Sequence, residues 1–207
     1  YFTLRSGMGV LAIALPLLLA ALGPLADGEP LRCSMSAYYF SVRMRDVFVG
    51  LLVAIGAFLF LYKGFSREEN WALNLAGALA IGIALVPTTG RCDGSGESWS
   101  LHTAFAFSFF LVIAGVCILL ASDTLRLIND PARVRLFQRL YRLYGALMIV
   151  LPIAIAIVSR ALDRGDAAFP VIFLVEAAAV LTFAAYWLTK SIELRQTHAE
   201  QHALAGL

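Results

Sequence analysis

Six apolar stretches dominate this chain: residues 6–26, 46–64, 71–87, 101–121, 140–159 and 169–188, each with at most one or two ionisable residues. The hydrocarbon core of a bilayer is about 30 Å thick, and roughly 20 apolar residues in helical form cross it. Each stretch is close to that length. In lipid the backbone must satisfy its own hydrogen bonds, so a spanning segment is either a helix or a strand of a closed barrel. No alternating pattern of the barrel kind is present. The expected fold class is therefore all-α: a polytopic membrane protein with a six-transmembrane-helix bundle over residues 1–190 and a polar cytoplasmic tail over 191–207.

Composition agrees. Of 207 residues, 60% are hydrophobic and 14% charged, where a soluble domain carries about 25% charged residues. A single soluble core could not bury this apolar surface and keep a polar skin. The net charge is only +2, and no basic stripe with interleaved aromatics occurs, so nucleic acid is not an expected partner. Residues 8–25 could be mistaken for a secretory signal. Five further apolar stretches follow, without a small-residue cleavage site after the first, which argues against it.

Orientation follows from Lys and Arg counts between the stretches. One side holds Arg5, Lys63, Arg67, Arg126, Arg133, Arg135, Arg139, Arg142, Lys190 and Arg195; the other holds Arg32, Arg43, Arg45, Arg91, Arg160 and Arg164. The richer side is expected to be cytoplasmic, with both termini inside and the chain in the inner (plasma) membrane. Cys33 and Cys92 then share the outer, oxidising compartment, where disulfides persist. A Cys33–Cys92 bridge is expected, and Cys117, in mid-span, reads as a small packing residue. Gly50, Gly56, Gly77, Gly82, Gly115 and Gly145 read as points of close helix approach. Asn129-Asp130-Pro131 reads as an N-cap followed by proline at the first helical position. It opens a basic helix over 132–142 that leads into the fifth span and rests against anionic headgroups or serves as a positive-inside anchor.

Ionisable groups within spans are costly, which makes them candidates for function. Asp46 opens the second span, His102 lies near the outer end of the fourth, and Glu176 lies seven residues into the sixth. At 1.5 Å per residue Glu176 is about 10 Å below the outer surface. All three fall in the outer half. Tyr38 and Tyr39 precede Asp46, with Arg43 and Arg45 beside it. Glu176 must be protonated, paired or facing a wet cavity; an interhelical bond would serve as well as a ligand contact. Asp46 fits equally a helix N-terminus, and His102 an interfacial anchor. His198 and His202 lie on one helical face in the tail, on the side opposite His102. No phosphate-cradling glycine loop, serine nucleophile elbow or paired haem histidines occur. No cofactor or metal is expected.

The segment Ser36-Ala-Tyr-Tyr-Phe-Ser-Val-Arg-Met-Arg-Asp46-Val-Phe-Val-Gly50, the segment from Asn74 through Pro87, and Leu101-His102 together resemble an uncharacterised family of bacterial six-helix membrane proteins. That resemblance covers the second to fourth spans and implies a fold and a location, with no activity attached. Ser36, Asp46 and His102 also resemble part of the site of the alkaline-ceramidase-like membrane hydrolases, which place Ser, Asp and three His around zinc. Phe40 stands where one of those histidines would be wanted, and the outer side offers no second or third His. The expected function is thus non-enzymatic: an outward-facing polar cavity that binds or moves a small molecule, ion or lipid. Its lining would be Asp46, His102, Glu176 and Tyr39, with Arg43 and Arg45 at the mouth. The alternatives are a membrane lipid hydrolase and an accessory subunit docked on a membrane partner or on a second copy of the chain.

Overall fold

A computed structural model describes residues 2–28, 30–88, 100–162 and 171–196, with the backbone alone given for 158–162 and 196. Among the described residues there is no strand. Six α-helices follow in order: α1 (Phe2–Asp27), α2 (Arg45–Leu61), α3 (Arg67–Leu85), α4 (Leu101–Gly115), α5 (Pro131–Leu162) and α6 (Val171–Gln196). Each helix packs against the next, and α6 returns to pack on α1, so the six form a closed ring. The first and last described turns meet at one end of that ring, where the Arg195 guanidinium lies 5.6 Å from the Phe2 ring.

Among the described residues, four segments are long and apolar enough to cross a membrane: Phe2–Asp27, Leu101–Leu127, Pro131–Ile157 and Val171–Arg195. The two others are shorter as apolar elements. Helix α2 has 17 residues, and α3 spends its first turn on Arg67, Glu68 and Glu69. That turn is a built cap. Ser66 Oγ accepts the Glu69 amide at 3.1 Å, and Glu69 Oε2 reaches back to the Phe65 amide at 2.6 Å. Two donors at the helix start are thereby satisfied, and Glu69 is buried.

The other ends also have readable causes. Helix α1 stops at Gly28, whose φ of 71° is the left-handed conformation glycine tolerates. Helix α5 starts as expected, with Asp130 Oδ1 accepting the Ala132 amide at 2.9 Å ahead of Pro131. The expected fourth span is not one continuous α-helix. It passes into a π turn at Val116–Leu120 and a 3-10 turn at Asp123–Leu127.

Helix α6 continues to Gln196, and Ser191, Glu193 and Leu194 are buried in the bundle. Lys190 and Arg5, both counted among the cations of the terminal side, are 1% and 2% exposed. Large apolar side chains lie exposed on every helix, including Phe60 and Leu61 on α2 and Trp71, Leu75 and Leu85 on α3. A soluble monomer rarely leaves so continuous an apolar surface open to water.

Glycine marks the tightest crossing. A Cβ on Gly56 would lie 2.8 Å from the Gly77 carbonyl oxygen, and one on Gly77 would lie 2.7 Å from that of Gly56. Gly82 and Gly145 abut the Phe105 and Ile118 side chains, whereas Gly50 and Gly115 face nothing within 4 Å and are not approach points. Because backbone cannot yield as a side chain can, Gly56→Ala and Gly77→Ala are each expected to destabilise by about 1–3 kcal/mol. Gly50→Ala should leave stability unchanged or slightly raised. The thermal midpoint in detergent of the three variants checks this.

Candidate functional site

Between α1 and α2 the chain folds into a 3-10 turn, Ser36–Phe40, and this turn organises the end of the bundle where the sequence places its site. Its own start is local: Ser34 Oγ accepts the Ala37 amide at 3.1 Å. The remaining ties come from other helices. Glu176 Oε2 accepts the Met35 amide at 2.6 Å. The Phe173 amide, one turn earlier on α6, donates to the Cys33 carbonyl at 2.8 Å. On α4, His102 is 3% exposed. Its Nδ1 is 2.7 Å from the Val86 carbonyl oxygen, and its Nε2 is 2.9 Å from Ser36 Oγ. A carbonyl only accepts, so Nδ1 carries the proton. In the neutral ring Nε2 is then the acceptor, and the Ser36 hydroxyl donates to it.

His102 and Glu176 are therefore brought to consecutive residues, Ser36 and Met35. Asp46 is not brought with them. It sits exposed in the first turn of α2, where a carboxylate suits the helix dipole. No group of three or more His, Cys, Asp or Glu placed to hold a metal occurs among the described residues. The expected convergence of Asp46, His102 and Glu176 on one point is thus replaced by a pair on one turn. At the rim, Arg45 donates to the Tyr39 hydroxyl at 3.0 Å and lies 4.6 Å from its ring centre. Arg43 donates to the Ala26 carbonyl at 2.6 Å. Both arginines are exposed and Tyr39 is half-buried.

Asp27, which the sequence reading passed over, anchors the other flank. It accepts Ser41 Oγ at 2.8 Å and pairs with Arg32 at 3.2 Å. Ser41 Oγ in turn accepts the Met44 amide at 2.9 Å, just ahead of α2. Tyr38 packs beneath the turn, and burial pushes its phenol above the ordinary range, against the lowering effect of Arg32. The expected Cys33–Cys92 bridge involves Cys92, which lies outside the described residues, as do Arg91, Arg164, His198 and His202. Cys117 is buried and free.

A second polar group lies at the opposite end, and the sequence reading missed it. Lys190 Nζ donates to the Ala121 carbonyl at 2.8 Å and to Thr124 Oγ1 at 2.6 Å, and it lies 3.0 Å from Glu193 Oε2. An ammonium has three protons, and here each has an acceptor. Glu193 is 0% exposed; it also accepts Thr124 Oγ1 at 2.5 Å and the Tyr141 hydroxyl. The break in α4 supplies one of these acceptors. In a continuous α-helix the Leu125 amide would take the Ala121 carbonyl, but it donates to Ser122 instead. Lys190 takes the freed oxygen. The group joins the end of α4 to α5 and α6. The only sequence signal for it is the three-residue spacing of Lys190 and Glu193, which places them on one helix face.

Comparison of the chain with family models, with curated proteins and with solved structures found no match.

The two ends respond differently to substitution. Removing one member of a buried ion pair strands the other, at about 3–5 kcal/mol. Lys190→Met should therefore unfold the bundle markedly earlier in a thermal scan in detergent. The double variant Lys190→Met/Glu193→Leu should recover a large part of that loss. A double variant no more stable than Lys190→Met would show that the two residues act independently.

Proposed function

We propose that this chain is a multi-pass inner-membrane protein of six spans, with both termini in the cytoplasm, whose Ser36–Phe40 turn binds the polar headgroup of a lipid or a small solute from the outer side. The six-span topology is supported by the apolar exposure that α2 and α3 share with the four longer helices. Meeting of the first and last described turns at one end supports an even number of crossings. Setting aside the buried Arg5 and Lys190, the basic residues still divide eight to six in favour of the terminal side.

One observation carries the binding reading. The Ser36 hydroxyl and the His102 imidazole form a neutral donor–acceptor pair beside the Glu176 carboxylate, and Ser36 is only half-buried. An incoming hydroxyl, phosphate or carbonyl oxygen can exchange into that pair, with Tyr39, Arg43 and Arg45 at the rim. Ser36→Ala and His102→Gln are each expected to lower the retention of co-purifying lipid about fivefold, the worth of one hydrogen bond. Native mass spectrometry reads this, and wild-type retention in both folded variants would return the pair to a purely structural role.

A second reading, ester hydrolysis, is favoured by the same pair. A serine within hydrogen-bond reach of a histidine whose other nitrogen is held by a third group is the arrangement of an activated nucleophile. Here the Val86 carbonyl is that third group. Ser36 Oγ would attack the acyl carbon of the ester while His102 Nε2 takes its proton; the acyl C–O bond then breaks, the imidazolium returns the proton to the departing alcohol, and a water activated by the same nitrogen releases the acid and restores Ser36. A fluorophosphonate probe distinguishes the readings. Modification of Ser36 that disappears in His102→Gln selects hydrolysis, and an unmodified, folded protein eliminates it.

The Cys33–Cys92 bridge belongs to the same outer-side topology. Both thiols should resist alkylation until reduced, and after reduction a membrane-impermeant maleimide applied to sealed cells should reach both. Labelling of the two from opposite sides of the membrane would refute the six-span arrangement.

A further inference from the structure

Helix α5 is longer than a membrane requires. Its 32 residues extend about 48 Å at 1.5 Å per residue, against a hydrocarbon core of about 30 Å. The excess, about 12 residues, matches the basic segment from Pro131 to Arg142. Within it Phe137 and Tyr141 are buried against the bundle, and Met148 continues that face two turns on. Arg135, Arg139 and Arg142, spaced four and three residues apart, fall on the opposite face and are exposed. Leu136 and Leu143, 54% and 52% exposed, flank them. Arg133 is turned elsewhere and pairs with Asp130 at 3.4 Å. None of the three stripe arginines has a carboxylate within ion-pairing distance among the described residues.

We propose that Arg135, Arg139 and Arg142 form a binding surface for the phosphates of anionic phospholipids in the leaflet at the terminal end of the bundle. Three unneutralised guanidiniums in a row, each able to hold two phosphate oxygens, match a row of phosphodiesters. The exposed leucines beside them provide the apolar edge that enters the acyl region. An acidic protein partner would match the charge. It would not account for the leucine flank, or for the stripe lying where the helix leaves the hydrocarbon core. This surface is independent of the Ser36–His102 pair, at the other end of the molecule.

The experiment compares lipid retention by the full chain after detergent extraction from vesicles of equal phosphatidylglycerol and phosphatidylcholine, read by native mass spectrometry. Wild type should retain phosphatidylglycerol in preference, and the triple variant Arg135→Gln/Arg139→Gln/Arg142→Gln should lose that preference by about tenfold or more. Lys63→Gln/Arg67→Gln, exposed at the same end but off the α5 stripe, should keep it. Equal retention of the two lipids by wild type overturns the proposal, as does an unchanged preference in the triple variant or an equal loss in the Lys63/Arg67 control. If the triple variant cannot be purified, the wild-type comparison and the control still decide.

Discussion

A lysine ammonium with all three protons committed is the contact on which one end of this bundle depends. Removed from water, Lys190 and Glu193 each carry a desolvation cost of several kcal/mol, which only close and complete partnering repays. Completeness requires parts from three segments: the Ala121 carbonyl and Thr124 hydroxyl from the turns that follow α4, the Tyr141 hydroxyl from α5, and the two charges from α6. The break in α4 is part of the same arrangement, because an unbroken helix would withhold the Ala121 carbonyl. Tyr141, Tyr186, Trp187 and Tyr62 continue from the group as a chain of ring contacts at 5.1–5.7 Å, ending near Arg5 on α1. Polar group and ring contacts together run from α5 through α6 to Tyr62 and to Arg5 on α1.

What could be read from the sequence divides along a physical line. Elements set by local pattern were legible: helix positions from apolar length, the start of α5 from Asp130-Pro131, and the apolar burial of Cys117. Lys190 enters the sequence only as one cation of the terminal side. Its burial depends on Thr124 and Tyr141, 66 and 49 residues away in the chain, and no local pattern announces them. Glu69 is hidden in a related way: a charge in the first turn of a helix normally faces solvent, but here it folds back to cap the turn that precedes it.

The expected outer site shows a third kind of limit. Depth along a helix placed His102 and Glu176 at one level, and the structure does bring both to one turn. Depth says nothing about azimuth, so Asp46, expected at a similar level, lies exposed in the first turn of α2. Nor does it show what an intramembrane carboxylate meets. Glu176 meets a backbone amide, which has no side-chain signature and so cannot be found by searching for a partner of opposite charge.

The contrast between the two ends bears on where function resides. At the Lys190 end Lys190 Nζ, Thr124 Oγ1 and Glu193 Oε2 each serve two or three partners, so an exchange at any of them breaks several bonds together. At the turn end many of the ties run between a side chain and the main chain: Glu176 to Met35, His102 to Val86, Arg43 to Ala26, Ser41 to Met44. One such bond can be traded for a bond to a ligand at a net difference of about 1 kcal/mol, without releasing its neighbours. The densest polar bonding lies where the turns after α4 meet α5 and α6, and the Ser36–His102 hydroxyl–imidazole pair lies at the opposite end.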